Sequence, residues 1–245
     1  MARNLVLLHG FTHTGASWDP VVTALGERYL ALAPDIRGHG ASSSLEPVTL
    51  DSVLEDLARL PPSRFTLAGY SMGGRIALHA ALALPARVQR LVLIGASPGL
   101  ADPGERAARA AADEALARDI ESLSIEDFAR RWAATPVLAG QSPEVLEAAH
   151  ADRLRSRPDG LARGLRGLGT ATLPLVRDRL RELAMPVTLI AGERDDKFRA
   201  LAEWMADLIP RAQVEVVAGA GHAVHLEAPE RVAEIIAASD RAPAG

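Results

Sequence analysis

The chain has 245 residues, 48% of them hydrophobic, enough for one large core and close to the upper size of a single domain. Its net charge of -4 leaves no basic footprint, so nucleic acid and anionic membrane are excluded as expected partners. The sequence holds no cysteine, which removes disulfides, thiolate metal sites and a cysteine nucleophile and fits a reducing compartment. All but one of the 27 basic residues are arginine, Lys197 being the exception, so an arginine alone carries little weight.

Taken in order, Asn4 to Leu8 is a short apolar run suited to a strand buried on both faces, and it ends in His9-Gly10-Phe11. A helix follows from about Ser17, then a strand from Tyr29 to Ala33 and a glycine-rich loop from Ile36 to Ser42. Leu50 to Leu60 reads as a helix stopped by Pro61-Pro62. Phe65 to Ala68 is a strand that turns through Gly69-Tyr70-Ser71-Met72-Gly73 into a helix running to Leu84, and Val88 to Gly95 is a fourth strand. From residue 97 to 183 the alternation stops. Helical periodicity covers Gly104 to Arg118, Ile125 to Ala133, Pro143 to Arg155 and Gly160 to Leu180, with no strand signal. The strand-helix rhythm resumes with Val187 to Ala191, a helix over Arg199 to Ile209, a strand over Val214 to Ala218 and a last helix over Pro229 to Ala238. The tail from Asp240 to Gly245 is expected to be disordered.

These elements predict an α/β fold with a mostly parallel sheet and helices on both faces, residues 1–96 and 184–245 forming a core and 97–183 a helical lid inserted between the fourth and fifth strands. No apolar run is long enough to span a bilayer, and the reading is a soluble, cytoplasmic protein.

The chemistry gathers at strand ends. In the GxSxG pattern the glycines remove Cβ atoms where strand and helix backbones nearly collide, so Ser71 can sit on a strained turn with its hydroxyl exposed. A serine hydroxyl is inert near neutral pH until a base takes its proton; His222, after the last strand, is the expected base and is preferred over His225 because it directly follows the glycine turn. Asp195, the first acid after the fifth strand, is preferred over Asp196 as the group that orients the imidazole. The order Ser71, Asp195, His222 is that of an α/β-hydrolase triad, and the backbone N–H groups of Phe11 and Met72 would form the oxyanion hole. Taken singly, each of these residues is more often structural than catalytic; the order and the strand-end positions reverse that balance. His222, His225 and Glu227 lack any accompanying metal motif, and the first strand leads into His-Gly-Phe and not GxGxxG, so neither a metal nor a cofactor is expected. His9, His13 and His39 are taken as loop-shaping.

The runs HGF at 9–11, DIRGHGAS at 35–42, GYSMGGR at 69–75 and GAGHAVHLEAPE at 219–230 resemble the α/β-hydrolase superfamily over nearly the whole chain. Within it, GYSMGGR, SPGLADPGERAARAAAD at 97–113, RRWAATPVL at 130–138 and GERDDKFRALA at 192–202 resemble the 2-succinyl-6-hydroxy-2,4-cyclohexadiene-1-carboxylate synthase family of menaquinone biosynthesis. That resemblance implies a lyase that removes a proton next to a carboxylate and expels pyruvate from a small anionic substrate, with Ser71 as base. It also implies substrate-binding roles for Tyr70, Arg75, Arg109, Trp132 and a second lid arginine, Arg155 or Arg153, since the spacing beyond Pro136 departs from the family pattern by a couple of residues. Arg75 lies four residues beyond Ser71, on the same helix face. The competing readings are a carboxylesterase or carbon-carbon bond hydrolase using Ser71 as nucleophile, and a non-catalytic ligand-binding module.

Overall fold

The computed structural model describes residues 2–239; the expected disordered tail lies outside the described residues. Six strands, β1 (Arg3–Leu8), β2 (Tyr29–Leu32), β3 (Phe65–Tyr70), β4 (Val88–Ile94), β5 (Val187–Gly192) and β6 (Ala212–Val217), form one sheet in the order β2-β1-β3-β4-β5-β6. Every neighbouring pair runs parallel, as strand-helix alternation requires. The strand order reverses between β1 and β3, which sets the loop after β1 beside the turn after β3.

Strand side chains alternate between two cores. Val6, Leu8, Phe65, Leu67, Leu91 and Leu93 face one layer, whereas Leu5, Leu7, Ala68, Tyr70, Val92 and Ile94 face the other. The first layer is closed by α2 (Leu50–Ala58), α3 (Met72–Ala83) and α8 (Asp196–Ala206); the second by α1 (Asp19–Leu25) and α10 (Pro229–Ser239). A sheet covered on both faces explains the uninterrupted apolar runs of β1 and β3.

Between β4 and β5 the described residues contain no strand. The segment carries α4 (Pro103–Ser122), α5 (Ile125–Ala133), α6 (Pro143–Arg153) and α7 (Pro158–Leu168). Local chemistry starts them: the Asp102 carboxylate accepts from the Glu105 N–H, and Ser124 and Ser142 accept from the N–H groups of Asp127 and Val145. Proline occupies the first turn of α4, α6 and α7, where no N–H is missed. These helices bury a small core of their own from Ala117, Ile120, Phe128, Leu161, Ala162 and Leu165. One helix expected over Gly160 to Leu180 is instead α7 followed by a 3-10 turn at Arg177–Glu182. Gly169, extended at φ -61° and ψ 157°, ends the first, and Pro174 cannot carry helical hydrogen bonding across the gap. A short helix, α9 (Val224–Glu227), precedes α10.

The turn from β3 into α3 is packed tightly against its neighbours. Ser71 sits at φ 51° and ψ -109°, outside the helical and extended regions, and its N–H donates to the Ile94 carbonyl at 2.8 Å. A methyl group at Gly69 would stand 2.4 Å from the Gly73 carbonyl oxygen, and one at Gly73 2.2 Å from that of Leu8. Both contacts are with backbone, which has nowhere to move. Gly73→Ala is therefore expected to cost about 3 kcal/mol or more of stability, at the upper end of overpacking effects, seen as a lowered urea midpoint with an unchanged slope.

Candidate active site

The loops after β1, β3, β5 and β6 open on one edge of the sheet and bring the expected triad together. The Asp195 carboxylate, Oδ2, lies 2.6 Å from His222 Nδ1, and His222 Nε2 lies 3.2 Å from Ser71 Oγ. A carboxylate can only accept, so Nδ1–H donates to Asp195 and leaves Nε2 to receive the serine proton. Asp195 is also the N-cap of α8, its other oxygen accepting from the Phe198 N–H at 3.4 Å. One residue in the turn after β5 thus starts α8 and orients the imidazole. The alternative acid, Asp196, is instead paired with Arg199 on the surface. His222 is held from two further sides. Phe198 packs on its ring at 4.6 Å between centroids, and Glu227 gathers the N–H groups of Gly221 and Ala223 and the Arg194 guanidinium, pinning the loop. His225, the rejected alternative, is fully buried against Trp18 and Tyr70.

The cleft beside Ser71 is about 60 Å³, walled by Phe11, His13, Tyr70 and Trp132, with Val137 and Leu138 closing the top. A methyl group at Gly10 would lie 3.6 Å from Ser71 Cβ, so the chain enters Phe11 directly alongside the serine. Among the described residues no backbone acceptor takes the N–H of Phe11 or of Met72, the first residue of α3. The Trp132 ring meets Phe11 edge-on at 5.3 Å, which joins α5 to the cleft.

Arg75 and Arg109 approach each other across α3 and α4, with Asp113 between them. Arg109 Nε donates to Asp113 Oδ1 at 2.7 Å, while Arg75 Nε is buried with no hydrogen-bond partner among the described residues. Burial and the Arg109 charge pull the Arg75 guanidinium down to about 10, against the partial pull of Asp113, so it stays charged at neutral pH. The structure places the two candidate lid arginines, Arg153 and Arg155, differently. The Arg155 side chain is 65% exposed, turned to solvent at the end of α6. Arg153 is fully buried; its Nε donates to Thr12 Oγ1 at 3.3 Å, and its two terminal nitrogens have no partner among the described residues. A register of two residues separates an outward from an inward side chain at a helix end, and the sequence spacing does not resolve it.

Sequence reasoning took His13 as loop-shaping and passed over its partner, Asp152. They are 139 residues apart, yet Nδ1 of His13 lies 3.0 Å from Asp152 Oδ2, and Asp152 also takes the N–H and hydroxyl of Thr14.

The sequence between residues 5 and 235 matches the alpha/beta hydrolase family. The chain belongs to that family. It is 36% identical over 239 residues, 95% of this chain and 90% of the relative, to the 2-succinyl-6-hydroxy-2,4-cyclohexadiene-1-carboxylate synthase of an Enterobacter species. It is 33% identical, over 93% of this chain and 92% of the relative, to the pimeloyl-[acyl-carrier protein] methyl ester esterase of Nitrosomonas europaea. Among solved structures, MenH from S. aureus superimposes with a TM-score of 0.91 at 30% identity, covering 97% of this chain and 92% of that one. Among the described residues no helix is long and apolar enough to cross a membrane.

Behind the cleft of this alpha/beta hydrolase, His9 and His39 are buried with ring centroids 5.0 Å apart. His9 donates from Nδ1 to the Gly10 carbonyl and accepts at Nε2 from the Ile36 N–H, both at 2.9 Å, an arrangement open only to the neutral ring. Burial brings His9 down to about 4 and His39, with His9 beside it, to about 3. The unfolded chain therefore takes up protons first as pH falls below about 6.5, so stability is complete above that value and is lost toward pH 3. From His39 alone, stability should fall by about 2 kcal/mol between pH 7 and pH 5. Urea unfolding of His39→Asn at both pH values should show a correspondingly shallower loss than the parent chain.

Proposed function

We propose that this alpha/beta hydrolase is a carbon-oxygen lyase that eliminates pyruvate from an enolpyruvyl-succinyl-cyclohexene carboxylate to give 2-succinyl-6-hydroxy-2,4-cyclohexadiene-1-carboxylate. The observation that carries this reading is the charged Arg75 one helical turn beyond Ser71, whose buried Nε has no partner among the described residues. A guanidinium removed from water needs an anion, and a substrate carboxylate supplies it bidentately. Arg109 and Arg153 provide further cationic contacts, and Tyr70 and Trp132 wall the ring. On this reading His222 takes the Ser71 proton and Ser71 Oγ removes the carbon-bound proton next to the carboxylate. That electron pair forms the new double bond as the carbon-oxygen bond to the enolpyruvyl group breaks, and the departing enolate gains a proton, balanced by the one His222 gives up, to become pyruvate. The N–H groups of Phe11 and Met72 hold charge that develops as the proton leaves, and the Asp195 carboxylate stabilises the imidazolium. No acyl-enzyme forms.

Residues 97–183 are proposed as the lid of this site, over a core made of 1–96 and 184–245. A cleft of about 60 Å³ is far smaller than the roughly 300 Å³ or more that small-molecule pockets occupy, so α5 and the Val137-Leu138 turn must move to admit substrate. Behind Trp132 a second cavity of about 250 Å³, lined by Leu116, Leu123 and Phe128, leaves room for that movement. The proposed location is the cytoplasm.

The second reading, a carboxylesterase with Ser71 as nucleophile, is favoured by the resemblance to the Nitrosomonas esterase. The two readings divide in one assay that follows pyruvate release from the enolpyruvyl substrate beside hydrolysis of a nitrophenyl ester. Pyruvate release is expected to fall about 10⁴-fold in Ser71→Ala and at least about 30-fold in Arg75→Ala, the latter equivalent to the loss of one charge-assisted contact of about 2 kcal/mol. Ester turnover without pyruvate release would establish the esterase instead, and unchanged kinetics in Arg75→Ala would remove its assigned role.

A further inference from the structure

Gly10, Phe11, Thr12 and His13 form a four-residue turn closed by the His13 N–H to the Gly10 carbonyl at 3.2 Å. Thr12, third in the turn, stands at φ 72°. That sign is the one a type II turn demands there and glycine normally supplies, whereas a β-branched residue is strained by it. Apart from Ser71, Thr12 is the only non-glycine residue with positive φ among the described residues. It immediately follows Phe11, whose N–H faces Ser71 in the proposed site. Strain at such a position persists only where the surroundings over-determine it.

The surroundings come from the end of α6. Asp152 accepts from the Thr14 N–H at 3.0 Å, from the Thr14 hydroxyl and from His13 Nδ1 at 3.0 Å, while Arg153 donates to Thr12 Oγ1 at 3.3 Å. Thr12, His13, Thr14, Asp152 and Arg153 are all buried. Desolvation opposes the Asp152 charge, but the hydrogen bonds from His13 and Thr14 outweigh it and hold the carboxyl down to about 2, so the acceptor is an anion at any working pH. Just beyond, Ser156 accepts from the Gly40 N–H at 2.9 Å and the Arg157 N–H donates to Ser43 Oγ at 3.3 Å, which anchors the same segment to the neighbouring loop.

We infer that Asp152, with Arg153, is a positioning residue: it clamps the strained Gly10-His13 turn and so keeps the Phe11 N–H aimed at the reacting oxygen. Releasing the clamp lets Thr12 relax to negative φ, which turns over the Phe11–Thr12 peptide and displaces the donor beside it. The seat of the α6 end and the state of the oxyanion site are thereby one equilibrium. This inference rests on the reading of Ser71 as the reactive group and of Phe11 as an oxyanion donor, and it holds for elimination and for hydrolysis alike.

The test uses phosphonylation of the full-length chain by a fluorophosphonate probe, which reads the triad and the oxyanion site without the natural substrate. Asp152→Ala is expected to lower the second-order labelling rate about 10- to 100-fold while the chain still melts cooperatively, and Arg153→Met to lower it less. The decisive variant adds Thr12→Gly, because glycine adopts φ 72° without a clamp. Asp152→Ala with Thr12→Gly should label within about threefold of the parent, a rescue that general loosening of the fold would not produce. Labelling of Asp152→Ala at the parental rate overturns the inference. So does a folded double variant that stays slow. Should Asp152→Ala alone fail to fold, the rates of Arg153→Met with and without Thr12→Gly decide by the same criterion. A parent chain that resists the probe, or Ser71→Ala that accepts it, overturns the Ser71 reading and the clamp with it.

Discussion

Everything in the site follows from how closely the β3–α3 turn is pressed against β1. Gly69 and Gly73 allow backbones to approach within distances that no Cβ tolerates, and Ser71 is forced to φ 51° as a result. A serine in that conformation presents its hydroxyl beyond the carboxyl end of the sheet, while the next N–H, that of Met72, begins a helix and has no internal acceptor. The strain is sustained because β1, β3 and β4 are central, parallel and buried on both faces, so relaxing the turn would open the core on either side.

The second organising force is uncompensated positive charge. Arg75 keeps its proton although burial opposes it, and Arg153 is buried with its terminal nitrogens unpartnered among the described residues. Buried guanidinium groups destabilise a fold unless something repays their desolvation. Asp113 and Asp152 offset part of it: Asp113, on α4, attracts Arg75, and Asp152, at the end of α6, attracts Arg153 and ties that helix to the loop after β1 through His13 and Thr14.

The parallel sheet was legible in the chain because a strand buried on both faces is an unbroken apolar run, and β1, β3, β4 and β5 all read that way. The triad was legible because its three residues each lie in the turn or loop that follows a strand, so a one-dimensional rule about strand ends becomes a three-dimensional coincidence. The helical segment was legible as helices but not in detail. Its period gave Ile125–Ala133 to the residue, yet carried α7 across Gly169 and Pro174 and left positions 153 and 155 unresolved. Contacts such as His13 with Asp152 had no signature at all, since they depend on how the α6 end docks 139 residues from its partner. The strain at Thr12 was equally hidden, because a threonine after HGF gives no sign that its φ is positive.

Whether a Ser-His-Asp site attacks a carbonyl or removes a carbon-bound proton is decided by what sits above the serine and not by the triad, which is the same in both cases. Relatives with the two chemistries resemble this chain almost equally, at 36% and 33% identity, so similarity alone does not choose between them. Electrostatics favours the proposed elimination. A neutral ester entering the cleft would leave Arg75 without an anion and would exclude the water that had solvated it, a cost on the order of several kcal/mol that binding would have to overcome. A polycarboxylate reverses the sign, since each acidic group that pairs with a buried arginine recovers desolvation already incurred in folding. In the proposed reaction a carboxylate held by Arg75 would also fix which substrate atom faces the hydroxyl, namely the carbon beside it and its proton. That is the geometric reason to read Ser71 as a base in the proposed reaction, and it follows from the position of Arg75 on α3.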